Sequence, residues 1–388
     1  MAENFLKGKG ITVKVLEAEI NNLFRLSPKN PIEGLDYIYL PSFLKHKKFA
    51  HILLKECFFI LKPKGLLVID YISSKEINFV SLEKLLWWLF KANYDILSHE
   101  KYEKGFRIVI KKRHNMFTKD DSIDKWTFGI ITNGERDDYL EMIFKSIKDQ
   151  KIPNYEIIVC GKYRNRPEKN FTYIPFNERA DKGWISKKKN LIGEKAKYEN
   201  LCIIHDRILL DKNWYAGMKK YGNAYELLGC VQIEKDSKQH AGDWLTLGGP
   251  VPTNYRVSSM HFTDWDWFTY LSGQLTILKK HIWKEVLWDE TRFWNDAEDA
   301  DISYRARDKG YIIRFNPFAS CTAITWRHGR LPLKYDIREG LLPKDMLKRR
   351  LMRITARVIY AIPGLKQIML GSYSLVSKTK FYKHFIYH

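Results

Sequence analysis

Apolar runs of strand length alternate with segments whose apolar residues recur at helical spacing, and this alternation begins twice along the 388-residue chain. No other feature constrains the fold as much. A strand–helix–strand order builds a parallel sheet covered by helices, with the functional site at the C-terminal ends of the strands. In the first stretch ITVKVLEAEI and GLDYIYL are strand-like, FAHILLKECFFIL is helical, LKPKG is a turn, and LLVIDYI is the continuous apolar run of a buried parallel strand. SLEKLLWWLFKAN predicts a second helix with Ser81 as N-cap, and FRIVIKK a closing strand. HNMFTKDDSIDK is polar and aperiodic, and reads as a linker. The strand WTFGIIT then opens a second unit. It continues through the turn NGERDD, the helix YLEMIFKSIKDQ, the strand YEIIVCG, the basic helix KKKNLIGEKAK and the strand LCIIHDRILL, which polar residues interrupt. The expected organisation is an α/β domain over 1–115, a linker over 116–125, a larger α/β domain over 126–335, and a tail over 336–388.

This length accommodates two or three domains. A chain that is 45% hydrophobic and 29% charged is not disordered or low-complexity. Lys and Arg number 66 against 45 Asp and Glu, a net charge of +21 that points to an anionic partner: nucleic acid, anionic lipid or a phosphorylated substrate. Cys57, Cys160, Cys202, Cys230 and Cys321 form no zinc-type pair and mostly sit in apolar runs, as buried thiols of a reducing compartment do. The N-terminus lacks the apolar core of a signal peptide, and no stretch approaches the roughly 18 apolar residues of a spanning helix. The expected location is cytoplasmic. In the tail, Met346, Leu347, Leu351, Ile354, Val358 and Ile359 form an apolar side flanked by Lys348, Arg349, Arg350, Arg353 and Arg357. Such a stretch either lies peripherally at an anionic membrane surface, here the inner face of the cytoplasmic membrane, or caps the second domain.

Five motifs carry chemistry. In FWNDAEDADISYRARDKGY, Glu298 and Asp299 open a helix, with Asp301 two residues on, and a carboxylate so placed can take a proton from a hydroxyl. In NLCIIHDRILL, His205, Asp206 and Arg207 end a strand, where His and Asp can hold a divalent cation and Arg can neutralise phosphate directly. In ITNGERDDYLEMI, polar residues between strand and helix can hold a nucleotide. In WISKKKNLIGEKAK, Lys187, Lys188 and Lys189 precede a helix and can stabilise a diphosphate. In WRHGR, His328 stands between two arginines and can complete a metal or phosphate site. Each has a plain structural reading too, as a solvated helix start, a surface ion pair, an ordinary turn or a charged face.

In this order the motifs make residues 126–335 resemble a family 2-like glycosyltransferase of the GT-A fold. The resemblance rests on FGIITN, YEIIVCG, the KKKN helix start, IIHDRI, and the SGQLTILKK…FWNDAEDADISYRARDKGY block. It implies a nucleotide-sugar donor, a glycan or lipid-linked glycan acceptor of the surface-polysaccharide type, and inverting transfer. Position by position, it places Thr132, Asn133, Glu135 and Arg136 at the nucleoside, and Lys188 and Asn190 near the sugar or diphosphate. Asp299 matches the acceptor-activating base, with Glu298 beside it. Trp265, Asp266, Trp267, Gly273 and Gln274 fall in the acceptor-facing region. The family's Asp-x-Asp is replaced by His205-Asp206-Arg207. Either Asp206 and His328 hold an Mn²⁺ or Mg²⁺ ion, with His205 and Arg207 at the donor, or Arg207 supplies the cation's charge itself. Gly161 and Lys162 stand where the family has an acidic residue.

GLDYIYLPSFLKHKKFAHILLKECFFILKPKGLLVIDY, residues 34–71, resembles the second half of a class I S-adenosylmethionine-dependent methyltransferase. No GxGxG precedes it, which makes the first domain a non-catalytic scaffold. The remaining alternatives are a basic nucleic-acid-binding protein and a methyltransferase. No nucleic-acid-binding signature accompanies the charge, which is spread over every segment.

Overall fold

The computed structural model describes residues 12–14, 20–41, 48–75, 77–163, 169–177, 183–236, 240, 242–247, 258–294 and 296–325. The tail and His328 lie outside the described residues.

The first unit is a five-stranded sheet in the order β1-β2-β3-β5-β4, comprising β1 (Thr12–Lys14), β2 (Leu35–Leu40), β3 (Leu61–Tyr71), β4 (Tyr94–Tyr102) and β5 (Gly105–Lys112). Strands β1, β2 and β3 run parallel, while β5 returns antiparallel to β3 and pairs with β4 as a hairpin that the sequence reading did not include. The LKPKG segment is not a free turn. The β2–β3 register jumps from Leu35↔Leu61 to Tyr37↔Leu66, so residues 62–65 bulge out of one continuous strand. Helices α1 (Ala50–Ile60) and α2 (Phe79–Phe90) pack on this sheet. Asn78, not Ser81, caps α2: its Oδ1 accepts from Ser81 N–H at 3.0 Å while Ser81 Oγ accepts from Asn78 N–H at 2.9 Å. Ser81 takes the reciprocal position of a capping box, where a hydroxyl serves as well as the usual Glu.

The second unit is built on an eight-stranded sheet in the order β10-β16-β11-β15-β9-β6-β7-β8. Its strands are β6 (Lys125–Ile131), β7 (Asn154–Gly161), β8 (Phe171–Pro175), β9 (Asn200–His205), β10 (Ile208–Leu210), β11 (Leu227–Glu234), β15 (Leu275–Lys279) and β16 (Ile313–Ala323). Strands β8, β7, β6 and β9 are parallel, as the alternating pattern predicts. Beyond β9 the sheet departs from an all-parallel one, because β15 inserts antiparallel between β9 and β11. The helices are α3 (Asp137–Lys148), α4 (Ile185–Lys195), α5 (Trp214–Tyr221), α6 (Lys280–Val286) and α7 (Glu298–Asp308). A small sheet, β13-β12-β14, is formed by β12 (Trp244–Thr246), β13 (Ser258–Ser259) and β14 (Thr269–Leu271). Trp126, Phe128 and Trp214 anchor the core beneath β6, and all five cysteines are buried and unbridged. Among the described residues no helix is long and apolar enough to cross a membrane.

Buried charges join the two units. Lys55 on α1 meets Glu226 at 2.6 Å, and the next residue, Glu56, accepts from Arg314 at 2.9 Å and Arg25 at 2.6 Å. Arg314 also donates to the Asn22 and Phe24 carbonyls. Burial draws the Lys55 ammonium below its usual range, against the pull of Glu226. The polar stretch read as a linker is pinned as well. Phe117 packs on Phe59, Asp121 meets the buried Lys279 at 2.7 Å, and Asp124 accepts from the Tyr215 hydroxyl. A polar composition marks a tether only where nothing buries the charges, and here Lys279 and Tyr215 wait for them.

Candidate functional site

Strands β6 and β9 end side by side, with Ile131 opposite His205. The chain leaving β6 gives Thr132 and a turn into α3, and the chain leaving β9 gives Asp206 and Arg207. Asp206 is buried and both of its carboxylate oxygens are engaged: Oδ2 accepts from Thr132 Oγ1 at 2.8 Å and Oδ1 from Arg136 Nη1 at 2.8 Å. The Lys188 ammonium donates to Thr132 O at 3.1 Å. Asn133 and Glu135 face solvent above this cluster, tied by an Asn133 Oδ1 to Glu135 N–H bond of 3.2 Å. At the tip of β7, Gly161 has φ 140°, and a Cβ there would lie 1.9 Å from Thr132 O. The tight approach of the two strand ends excludes a side chain at that point.

The cluster extends to the acidic helix through the turn before β15. Arg207 Nη2 donates to Gln274 Oε1 at 3.1 Å, and Gln274 Nε2 donates to Gln232 Oε1 at 2.7 Å. One residue back, Gly273 N–H donates to Asp299 Oδ2 at 2.9 Å. Gly273 O accepts from Lys189 Nζ at 2.9 Å, and that ammonium also lies 3.3 Å from Glu298 Oε1. A Cβ on Gly273 would meet Glu298 Oε1 at 2.5 Å and Asp299 Oδ2 at 3.2 Å, so this glycine is what lets both carboxylates close on the turn.

Asp299 stands in the first turn of α7 and its other oxygen accepts from Ala300 N–H at 2.9 Å. Burial first, then the adjoining Glu298 carboxylate, push its pKa up to about 6, against the pull of Lys189 and the two backbone N–H groups. A carboxylate that gives and takes its proton near neutral pH is suited to general acid–base work. Ala297, just before the helix, adopts a left-handed backbone with φ 55°, a conformation that residues other than glycine and asparagine seldom hold.

Thr132, Arg136, Lys188, Asp206, Arg207, Gly273, Gln274, Glu298 and Asp299 therefore converge at one end of the second sheet. Other candidate residues stand apart. Asn190 Nδ2 donates to Trp288 O and Glu290 Oε1, and Asn190 Oδ1 accepts from Trp288 N–H and Trp283 Nε1–H, so its amide is engaged in holding the loop after α6. Lys187 pairs with Glu290. The Trp265 ring is buried against His51 of α1, 4.2 Å between centroids, and is closed to a sugar face. Asp266 accepts from Thr246, Thr269 and the Phe268 N–H, shaping a turn. Trp267 is 53% exposed and leans on Trp88. The lysines lie inside α4 rather than before it. Lys189, named in the lysine run but given no place of its own by the resemblance, is the one that touches Glu298. The signal was there: Ile185 and Ile192 mark the buried face of the helix, Lys188 and Lys189 fall between them on that face, and Lys187 does not. Gln232 and the buried His240–Asp243 pair, 2.8 Å apart, were also missed. Asp243 accepts from Gln232 N–H, which links this pair to Gln274.

The resemblance implies a divalent cation at Asp206. Hard cations are held by several oxygens converging on one point. Asp206 accepts one hydrogen bond on each oxygen, from a hydroxyl and a guanidinium, and among the described residues, which do not include His328, no group of three His, Cys, Asp or Glu could hold a metal.

No family model matches the sequence, and no curated protein matches it. Solved structures are similar to part of it. A crystal structure of S. aureus TarS 1–349 is 13% identical with a TM-score of 0.37, covering 51% of this chain and 60% of that one. A second S. aureus TarS structure is 15% identical at 0.37, covering 52% and 37%. A structure of GalNAc-T7 with UDP, GalNAc and Mn²⁺ is 14% identical at 0.36, covering 53% and 44%. The match thus spans 37% to 60% of those chains. At such scores the likeness is one of partial shape, and the chemistry rests on the residues themselves.

Proposed function

We propose that this chain is a glycosyltransferase that moves a hexosyl group from a nucleoside-diphosphate sugar to a hydroxyl of a glycan or lipid-linked glycan, with inversion at the anomeric carbon. The observation that carries this reading is one bonded path. It runs from the cationic group Arg136, Lys188 and Arg207, through Gln274 and Gly273, to a carboxylate poised near pH 6. Such a path joins a place for a leaving diphosphate to a base for an incoming alcohol.

In this mechanism the acceptor oxygen bonds to the anomeric carbon as the bond from that carbon to the diphosphate oxygen breaks. Asp299 takes the hydroxyl proton. Glu298 raises the basicity of Asp299, and Lys189 keeps Glu298 paired. The guanidinium and ammonium groups stabilise the negative charge that develops on the departing diphosphate. Asn133 and Glu135 are placed for the nucleoside, and Trp267 offers an exposed ring for an acceptor sugar. Residues 1–115 act as a methyltransferase-like scaffold without chemistry of their own. The tail over 336–388 either carries the enzyme to an anionic membrane surface or caps the second domain, and vesicle flotation with and without it decides between the two.

A thermal-shift screen of nucleotide sugars identifies the donor, because a ligand stabilises the state that it binds. Transfer with that donor, followed by NMR of the product's anomeric proton, then reads the stereochemistry. Asp299→Asn is expected to lower turnover by about 10²–10⁴-fold with donor binding kept. Near-normal turnover by that variant removes the proposed base.

A further inference from the structure

We infer that the first unit supplies part of the acceptor site: a strip of exposed rings, Trp87 of α2 with Trp267 and Phe268 of the second unit, holds the sugar units of an acceptor oligosaccharide that lie beyond the one presented to Asp299. The inference rests on the transferase reading above and extends it past the reacting hydroxyl. Trp87 is 58% exposed, Trp267 53% and Phe268 52%, at a junction where Trp88 is partly covered and Trp265 is buried. Large rings left open together on a soluble surface mark a ligand groove or an interface. The place of these three, next to the proposed base, makes them a groove for what the base acts on.

Bonds along α7 join the strip to Asp299. The Tyr304 hydroxyl, on the same helix, donates to Phe268 O at 3.1 Å. Burial first, and the Asp266 and Asp299 carboxylates after it, push that hydroxyl up to about 12 against the pull of Arg307, so the ring stands within electrostatic reach of the base. Arg307 lies over the Tyr304 ring, 4.8 Å from its centroid, and donates to Trp267 O. Arg307 O accepts in turn from Trp88 Nε1 at 2.7 Å, and the Trp88 ring packs on Trp267 at 4.9 Å. Just past α7, Gly310 has φ 89°, and a Cβ there would lie 1.9 Å from Trp88 O. The end of α2 is therefore seated directly against the end of α7, which holds Trp87 in fixed relation to Asp299. From Asp299 to Arg307 the helix runs about 12 Å, longer than one sugar ring. Charge decides between a glycan and a lipid surface. Arg307 pairs with Asp308 at 2.7 Å, and on α2 Lys84 stands next to Glu83, whereas an anionic membrane draws on clusters of unpaired Lys and Arg. Open ring faces beside a paired guanidinium and carboxylate suit a ligand of alternating C–H faces and hydroxyls, which is a neutral oligosaccharide.

The full chain is tested on an array of immobilised neutral oligosaccharides of graded length, beside vesicles containing phosphatidylglycerol. Binding to array glycans is expected to strengthen with length, and Trp87→Ala and Trp267→Ala should each weaken the long ones by about tenfold. With a long acceptor the same variants should raise KM for transfer by about as much, with little change in kcat. Val80→Ala, about two turns earlier on the exposed side of α2, is the control and should move neither quantity. Circular dichroism of each variant confirms that it folds. Glycan binding that Trp87→Ala leaves unaltered, an equal loss in Val80→Ala, or no glycan bound at all overturns the strip. Vesicle binding that falls with Trp87→Ala while glycan binding does not overturns it in favour of a lipid surface. Transfer indifferent to Trp87 and Trp267 removes the strip and leaves the transferase reading in place. Length-dependent glycan binding lost in both variants, with no transfer from any nucleotide sugar, does the reverse.

Discussion

Asp299→Asn should make the protein worse as a catalyst and better as a folded chain, and the second effect should appear only above about pH 5. The folded state raises the Asp299 pKa from 3.8 to about 6. A group whose folded pKa lies above its unfolded one contributes stability that is full below the unfolded value and is lost as pH rises through the folded one. At about 1.36 kcal/mol per pH unit, ionising Asp299 in place costs the fold no more than about 3 kcal/mol, and solvent at the cleft reduces this to about 2. An amide carries no charge, so it escapes that cost, but it can serve only one of the two N–H donors on Gly273 and Ala300, a loss of about 1 kcal/mol. The variant should therefore be about 1 kcal/mol less stable than the parent near pH 4 and about 1 kcal/mol more stable near pH 8, with the curves crossing between. Urea unfolding of both proteins across that range is the assay, read beside the acid limb of kcat/KM in the parent, which should rise through about pH 6. Stability curves that run parallel at every pH would refute the claim that the site holds a destabilised carboxylate.

Gly273→Ala should cut transfer at least tenfold while unfolding only slightly earlier, because its new methyl reaches Glu298 and Asp299 rather than a core wall; steady-state kinetics beside thermal denaturation checks it. Lys55→Met leaves the buried Glu226 carboxylate, among the described residues, with the Ile312 N–H and no cation, and should cost about 3–5 kcal/mol, in a single transition that takes both units down together. Urea unfolding followed by tryptophan fluorescence and by circular dichroism reads both expectations, and two separate transitions would contradict the second.

What the sequence disclosed was local. The strand–helix alternation over 126–205, the polar break after Ile204 and the acidic start at Glu298 each lie within one short window, so apolar spacing and the helix dipole suffice to read them. What it hid depends on partners far along the chain. Nothing around Leu275 announces that β15 will lie antiparallel between β9 and β11, because that choice is made by two strands some fifty and seventy residues earlier. Asn190 reads as a site residue by position, yet its amide answers to backbone and side-chain groups around residue 288, a hundred residues away. Trp265 falls by position in the acceptor-facing region, yet His51 on α1 of the first unit packs against its ring. The lysine run shows the intermediate case: composition could not choose among Lys187, Lys188 and Lys189, but the buried spacing of Ile185 and Ile192 does.

These buried pairs also constrain what the first unit can be for. Its helix α1 presents Lys55 and Glu56 in succession, and each holds a different strand region of the second sheet: Lys55 through Glu226 at the start of β11, and Glu56 through Arg314 on β16. Strands β11 and β16 pair directly along their length. At its far end β11 carries Gln232, which orients Gln274 and, through it, Arg207. The first unit therefore grips the two strands that lead to the Gln232–Gln274–Arg207 chain of hydrogen bonds. A scaffold that had merely lost its own cofactor loop would be free to drift to an exposed, polar contact with its neighbour. Instead two carboxylates, two arginines and a lysine are desolvated at the junction, and each must keep its partner or become an uncompensated buried charge. Excising residues 1–115 would take away the partners of Glu226 and Arg314 together with the surface that covers them, so the second unit alone is expected to be less stable than the whole chain, and a lower melting temperature of that fragment checks it.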